Sequence, residues 1–254
     1  MIINMELTRL EQKMTSILKD GEIITINNLY RLNELLKFSA TSTVKAMAFN
    51  LVKKGVLVRL SRGRYLVSKT PEKYDPLRTA NYVFDGYIAF SSALFVYGYN
   101  PTRSFTVWGA SSQRKTIRKI GEYIYISVPM GRLTFGSTYY KGYRVSTRSK
   151  TVFDCIYKIH YVEDMRSLLD AIHDMGSKDF DELIGYLKEY GSSSITQKVG
   201  FVLEKAGAPR GILKIIQSVA GKSIARLDNK SDAPSRYDPK WHILDNINFA
   251  RFSK

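Results

Sequence analysis

The sequence predicts an α+β fold: an N-terminal winged helix-turn-helix unit over residues 1–72, then a mixed α/β unit over residues 73–254 with an antiparallel sheet and a helical part. Three observations predict it. The first seventy residues hold three short amphipathic helical patterns followed by a basic alternating hairpin. Residues 103–147 contain several runs with the two-residue period of strands. From Ser149 onward apolar residues recur at helical spacing, and glycine ends several of the segments.

Taken in order, residues 6–19 bring Leu7, Leu10, Met14, Ile17 and Leu18 onto one helical face, and Asp20-Gly21 ends the pattern. Residues 27–37 repeat it with Leu29, Leu32, Leu35 and Leu36. The third helix opens in a Ser/Thr-rich stretch at 39–43 and stops at Gly55. At ~100° per residue, Val44, Met47, Ala48, Leu51 and Val52 share one arc. Ser42, Ala46, Phe49 and Lys53 then fall on the opposite arc, with Lys45 and Asn50 at its edges. Residues 56–69, VLVRLSRGRYLVSK, alternate apolar residues with arginines and turn at 61–63. Residues 70–76 carry two prolines and charge without periodicity, and read as a linker. Residues 85–99 read as a short strand or turn into a helix, and 103–108 and 122–128 as strands. Residues 134–140 and 143–147 read as a hairpin turning at Lys141-Gly142. Helices are predicted over 150–160, 164–175, 179–190, 194–206 and 210–220, followed by a polar tail from Lys222.

The chain's 254 residues suffice for two cored units, and 44% hydrophobic content excludes a mostly disordered chain. No apolar run approaches the ~18 residues of a membrane span. The opening MIINMELTRLEQK lacks the continuous apolar segment of a secretory signal. Cys155 is the single cysteine, which excludes an intrachain disulfide and a cysteine-built zinc site; a reducing, cytoplasmic location is expected. The net charge of +16 is concentrated: residues 1–70 carry 12 Lys/Arg against 5 Asp/Glu, and residues 101–150 carry 10 against 1. Two such blocks point to a bound polyanion, in a cell most commonly nucleic acid. Neither block is a basic amphipathic helix suited to a membrane surface, so no membrane partner is expected.

The expected DNA-binding residues are Thr41, Ser42, Thr43, Lys45, Phe49 and Lys53 on the third helix, and Arg59, Arg62 and Arg64 on the wing. The helix would offer its polar face to the major groove while the arginine-tipped hairpin leans on neighbouring phosphates. Hydroxyls at a helix start either cap it or bond phosphate, and capping by Ser39 or Thr41 is expected. Phe49 has two readings: folded back against the wing or another subunit, or touching a thymine methyl. Residues 109–116, GASSQRKT, superficially resemble a phosphate-binding loop, but Arg114 stands where that loop needs glycine, so ATP binding is rejected. The segment reads instead as a basic hairpin loop, with Arg103, Arg114, Lys115, Arg118 and Lys119 forming a secondary phosphate-facing patch.

No catalytic residue, cofactor or metal is assigned, and an enzyme is not expected. His160, His173 and His242 are far apart without metal spacing, and Cys155 beside Phe153 and Ile156 reads as an inert buried thiol. Asp174, Asp179, Asp181 and Glu182 form a charged helix junction, where capping is the ordinary explanation. The alternative is a metal-dependent nuclease targeted by a winged helix. Asp228-Asn229-Lys230 and Asp238-Pro239-Lys240 faintly resemble the acid-x-lysine end of restriction-type sites, although their surroundings read as loop.

Six stretches taken in order carry a resemblance over about the whole chain: GVLVRLSRGRYLV, YIAFSSALFVYG, FTVWGASSQRKTIRKIGEYIYISV, GYRVSTRSKTVFDCIY, QKVGFVLEKAG and ARLDNKSDAPSRYDPKWHILDN. Their order resembles the AbiEi family, the antitoxin and transcriptional-repressor half of abortive-infection type IV toxin–antitoxin pairs. The resemblance implies an operator-binding winged helix and a C-terminal α/β domain, with a basic surface, needed for antitoxin activity. It also implies a nucleotidyltransferase-like toxin, usually encoded next door and opposed without stable binding. Double-stranded DNA is the expected partner, gripped by a homodimer on an inverted repeat, because one helix reads too few base pairs for genomic specificity.

Overall fold

The computed structural model describes residues 7–37, 40, 42–69 and 74–252. Helix α1 (Arg9–Ile17) starts at Thr8, whose hydroxyl accepts from the Glu11 amide while the Glu11 carboxylate accepts from the Thr8 amide. Strand β1 (Ile23–Thr25) leads into α2 (Ile26–Leu36) through the same reciprocal arrangement between Thr25 and Asn28. Then come α3 (Thr43–Lys53), β2 (Leu57–Ser61) and β3 (Arg64–Val67). The strands form an antiparallel sheet of order β1-β3-β2, which with the three helices makes the predicted winged helix. Its core gathers Met14, Leu29, Val44, Leu51, Leu57 and Val67, the residues that the helical and strand periods placed inward.

The wing packs against protein on both faces. Leu57, Tyr65 and Val67 point to the helices of the first unit, whereas Val58, Leu60 and Leu66 point the other way, into the core of the second unit. That second core begins with an element the linker reading missed, α4 (Pro76–Val83). Asp75 caps it through the Leu77 and Arg78 amides, and Pro76 occupies the first turn, where a missing N–H is harmless. Two tyrosine hydroxyls pin the connection: Tyr74 donates to the Ile120 carbonyl and Tyr143 to the Asp75 carboxylate at 2.8 Å.

After α4 run β4 (Gly86–Ile88), α5 (Phe90–Tyr97), β5 (Thr106–Ser111), β6 (Thr116–Ile120), β7 (Tyr123–Pro129), β8 (Ser137–Tyr140) and β9 (Tyr143–Ser146). They build a six-stranded sheet of order β6-β7-β5-β4-β9-β8. It is mixed, which corrects the antiparallel expectation: β5 runs parallel to β7, and β4 to β9. A parallel pair needs a return path, and β6, read from the sequence as part of a loop, carries the chain back between β5 and β7. Lys141 and Gly142, both at positive φ, make the tight turn predicted between β8 and β9. One sheet face (Ile88, Val107, Tyr125, Val145) meets α4 and the wing. The other (Tyr87, Ala110, Val128) packs on α6 (Arg148–Tyr157), within a core shared with α7 (Met165–His173), α8 (Ser177–Tyr190), α9 (Ser193–Lys205) and α10 (Arg210–Val219).

The polar tail is also structured. Strands β10 (Ala225–Arg226), β11 (Arg236–Asp238) and β12 (Ile243–Asp245) form a small sheet of order β10-β12-β11, and Trp241 beside it is buried against α9. Gly200 permits that approach: a Cβ there would stand 2.1 Å from Trp241 Cζ3. The whole is α+β, and among the described residues no helix is long and apolar enough to cross a membrane.

Candidate nucleic-acid interface

Helix α3 presents Ser42, Thr43, Lys45, Ala46, Phe49, Asn50 and Lys53 to solvent, and buries Val44, Met47, Ala48 and Leu51. Ser42 stands at the N-cap without a side-chain capping bond, so its hydroxyl is open to a ligand; the Thr43 hydroxyl donates back to the Ala40 carbonyl at 2.7 Å. Thr41, and the capping expected of Ser39 or Thr41, lie outside the described residues. Phe49 is 60% exposed, which corrects the reading that it folds back on the wing. The helix-facing side of the wing is already filled by Leu57 and Val67, so the ring stands outward, with the Lys53 ammonium 5.1 Å from its centre.

Arg62 and Gly63 alone separate the paired residues Ser61 and Arg64, so Arg62 is the tip of a two-residue turn, and Gly63 takes the φ of +69° that the turn requires. Arg62 is exposed and has no ion-pair partner among the described residues. Arg59 lies exposed on the helix-facing side of the wing. Arg64 lies on the opposite side, its guanidinium 5.5 Å from the ring centre of Tyr82 in α4, which holds the charge at the wing's edge. Arg59, Arg62, Lys45 and Lys53 therefore sit on exposed parts of one helix-and-hairpin unit, and Arg64 on the wing's other side.

The secondary patch does not assemble as one phosphate-facing cluster. Arg118 lies on β6, and its guanidinium donates to the Arg59 and Leu60 carbonyls of β2, tying the large sheet to the wing. Burial, and then the neighbouring Arg59 charge, push its pKa below the ordinary arginine value. Arg103 stands before β5, 5.4 Å from the ring centre of Phe95, while Arg114 and Lys115 follow the far end of that strand. Six residues of strand put roughly 17 Å between the two ends. Lys119, which pairs with Ile124, sits with Arg103 at the near end. Strand alternation explains the split: Arg118 shares a face with buried Ile120 and Tyr125, Lys119 with exposed Ile117 and Ile124.

Elsewhere several charged groups are occupied internally. Lys150 and Asp154, both fully buried, pair one helical turn apart, and Tyr87 donates to Asp154 at 3.2 Å. Burial pushes the lysine down and the carboxyl up, each opposed by the other's charge. Cys155 is buried and burial raises its thiol well above the usual range, as an inert thiol requires. Asp228 pairs with His160 Nδ1 at 3.2 Å and accepts the Lys230 amide, at the edge of a cavity of about 310 Å³. Nearby Lys198 donates to the Asn229 side-chain oxygen Oδ1 at 3.3 Å, and burial brings its pKa down to about 8 against the pull of Asp228. Asp238 accepts the Lys240 and Trp241 amides. Among the described residues no group of three His, Cys, Asp or Glu is placed to hold a metal. The sequence did not foretell the His160–Asp228–Lys198 grouping, because its members come from a single turn, a helix and a tail that carry no shared pattern.

No protein-family model matches the sequence, and no curated protein matches it. The fold is similar to the crystal structure of RV2827C protein from Mycobacterium tuberculosis, with a TM-score of 0.65 over 95% of this chain and 92% of that one, at 12% sequence identity. That likeness covers both units and speaks to fold alone.

Proposed function

We propose that the chain is a sequence-specific DNA-binding regulator of transcription, with α3 in the major groove and the wing on the flanking phosphates. The observation that carries this is an uncovered α3 face joined to a free arginine tip: Ser42, Lys45, Phe49, Asn50 and Lys53 are exposed, and Arg62 projects from the adjacent turn. The surplus of positive charge in residues 1–70 supports the reading, since duplex affinity is dominated by phosphate neutralisation. Two copies on an inverted repeat would supply the base pairs one helix lacks. The AbiEi resemblance extends the proposal to an autorepressor in the cytoplasm that acts as antitoxin to a nucleotidyltransferase-like toxin without stable binding.

Fluorescence anisotropy on labelled duplexes across a salt series tests the DNA reading. Affinity should fall steeply with salt, and replacing both Arg59 and Arg62 by alanine should weaken binding to all sequences alike, lowering the magnitude of the salt slope by about 2. Unchanged binding in the double variant would remove the wing from the interface. For the antitoxin role, co-expression with the product of a neighbouring nucleotidyltransferase-like gene should restore growth, and continued toxicity would reject it.

A further inference from the structure

Resting on that reading, we infer that α3 is built for a half-site whose centre is A·T, with Asn50 reading adenine and Ala46 and Phe49 meeting thymine methyls. Ala46, Phe49, Asn50 and Lys53 occur at spacings i, i+3, i+4 and i+7, which is one helical stripe, and all four are exposed. At ~1.5 Å rise per residue the stripe spans about 10 Å, the length of roughly three base pairs.

Its chemistry selects among the bases. In the major groove cytosine offers an N4 donor, met by a carboxylate, and guanine offers paired acceptors, met by arginine or lysine. Helix α3, TVKAMAFNLVK, contains no Asp, Glu or Arg, and of its lysines Lys45 lies beside the stripe and Lys53 at its C-terminal end, neither at its centre. Adenine offers one donor and one acceptor side by side, the pattern a carboxamide matches with both its atoms at once. The Asn50 carboxamide makes no hydrogen bond with another described residue, so it is open for that pairing. Thymine carries a methyl group in the same groove, and the two residues beside Asn50 on the stripe are a methyl and a phenyl ring. The Lys53 ammonium rests 5.1 Å from the Phe49 ring centre, which keeps this cation at the C-terminal end of the stripe, where a phosphate rather than a base edge completes it.

The test uses the full chain and chemically altered DNA. A selected duplex from a randomised pool should carry an A·T step at its core. Replacing the core adenine by 7-deazaadenine, which lacks the N7 acceptor, should weaken wild-type binding about two- to tenfold. The same replacement should leave Asn50→Ala binding unaltered, because that variant has no carboxamide to lose. Replacing the core thymine by uracil should weaken wild type by a few-fold and Phe49→Ala by less. A G·C core, or indifference of the wild type to both altered bases while duplex is still bound, overturns the inference and leaves the DNA-binding reading intact. Absence of duplex binding at any salt overturns both.

Discussion

Glu11 and Lys54 lie 43 residues apart in sequence and 2.5 Å apart in space, with side-chain exposures of 4% and 11%. Lys54 is the residue on which α3 ends, so the pair fixes where the exposed helix sits relative to α1. Burial works to raise the Glu11 pKa, but the Lys54 and Thr8 hydrogen bonds outweigh it and hold the carboxyl below its usual 4.5. A carboxylate depressed by folding stabilises the native state above its unfolded pKa and ceases to do so as pH falls through the folded value. Thermal melts should therefore show the melting temperature dropping as pH falls below about 4.5, with a shallower drop in Glu11→Gln. Lys54→Met strands a buried carboxylate and should cost about 3 kcal/mol in urea unfolding. A loss near zero would mean that the pair does not hold the helix.

The elements legible in the sequence were those whose signal is local. Helices α1, α2 and α3 and the wing followed from periodicity and turn residues, and the helix-facing half of the candidate interface followed with them. Helix α4 was missed because Asp75-Pro76 reads equally as a turn and as a cap with its first-turn proline; only the packing of Leu77, Ala80 and Val83 decides. Strand β6 was missed because its basic residues look solvated, and nothing near Arg118 in sequence announces that its partners are carbonyls about 58 residues upstream. The strands of the tail are two or three residues long, too short for any period to show. Arg118→Met should leave the fold intact yet free the wing, so that hydrogen exchange accelerates at β2 amides more than at α6. Equal protection in both forms would show that the apolar face of Leu60 and Leu66 suffices.

At the scale of the molecule, a wing packed on both sides leaves little independence between the two units. Val58, Leu60 and Leu66 belong to the second core, while Leu57 and Val67 belong to the first. The full chain should accordingly unfold in one transition by circular dichroism and by tryptophan fluorescence. A fragment of residues 1–72 should melt at a lower temperature than the full chain, because one side of its hairpin is stripped of cover. Two separated transitions would place the boundary where the composition suggested it, as a joint between autonomous bodies.

The solitary sulfhydryl has a practical corollary. Cys155, the chain's one cysteine, is sealed in the interior beside the Lys150–Asp154 pair, so an alkylating reagent can reach it only when the central helix is laid bare. Its labelling rate is a natural clock for excursions of the native state, and every surface position is left vacant for a single reporter dye.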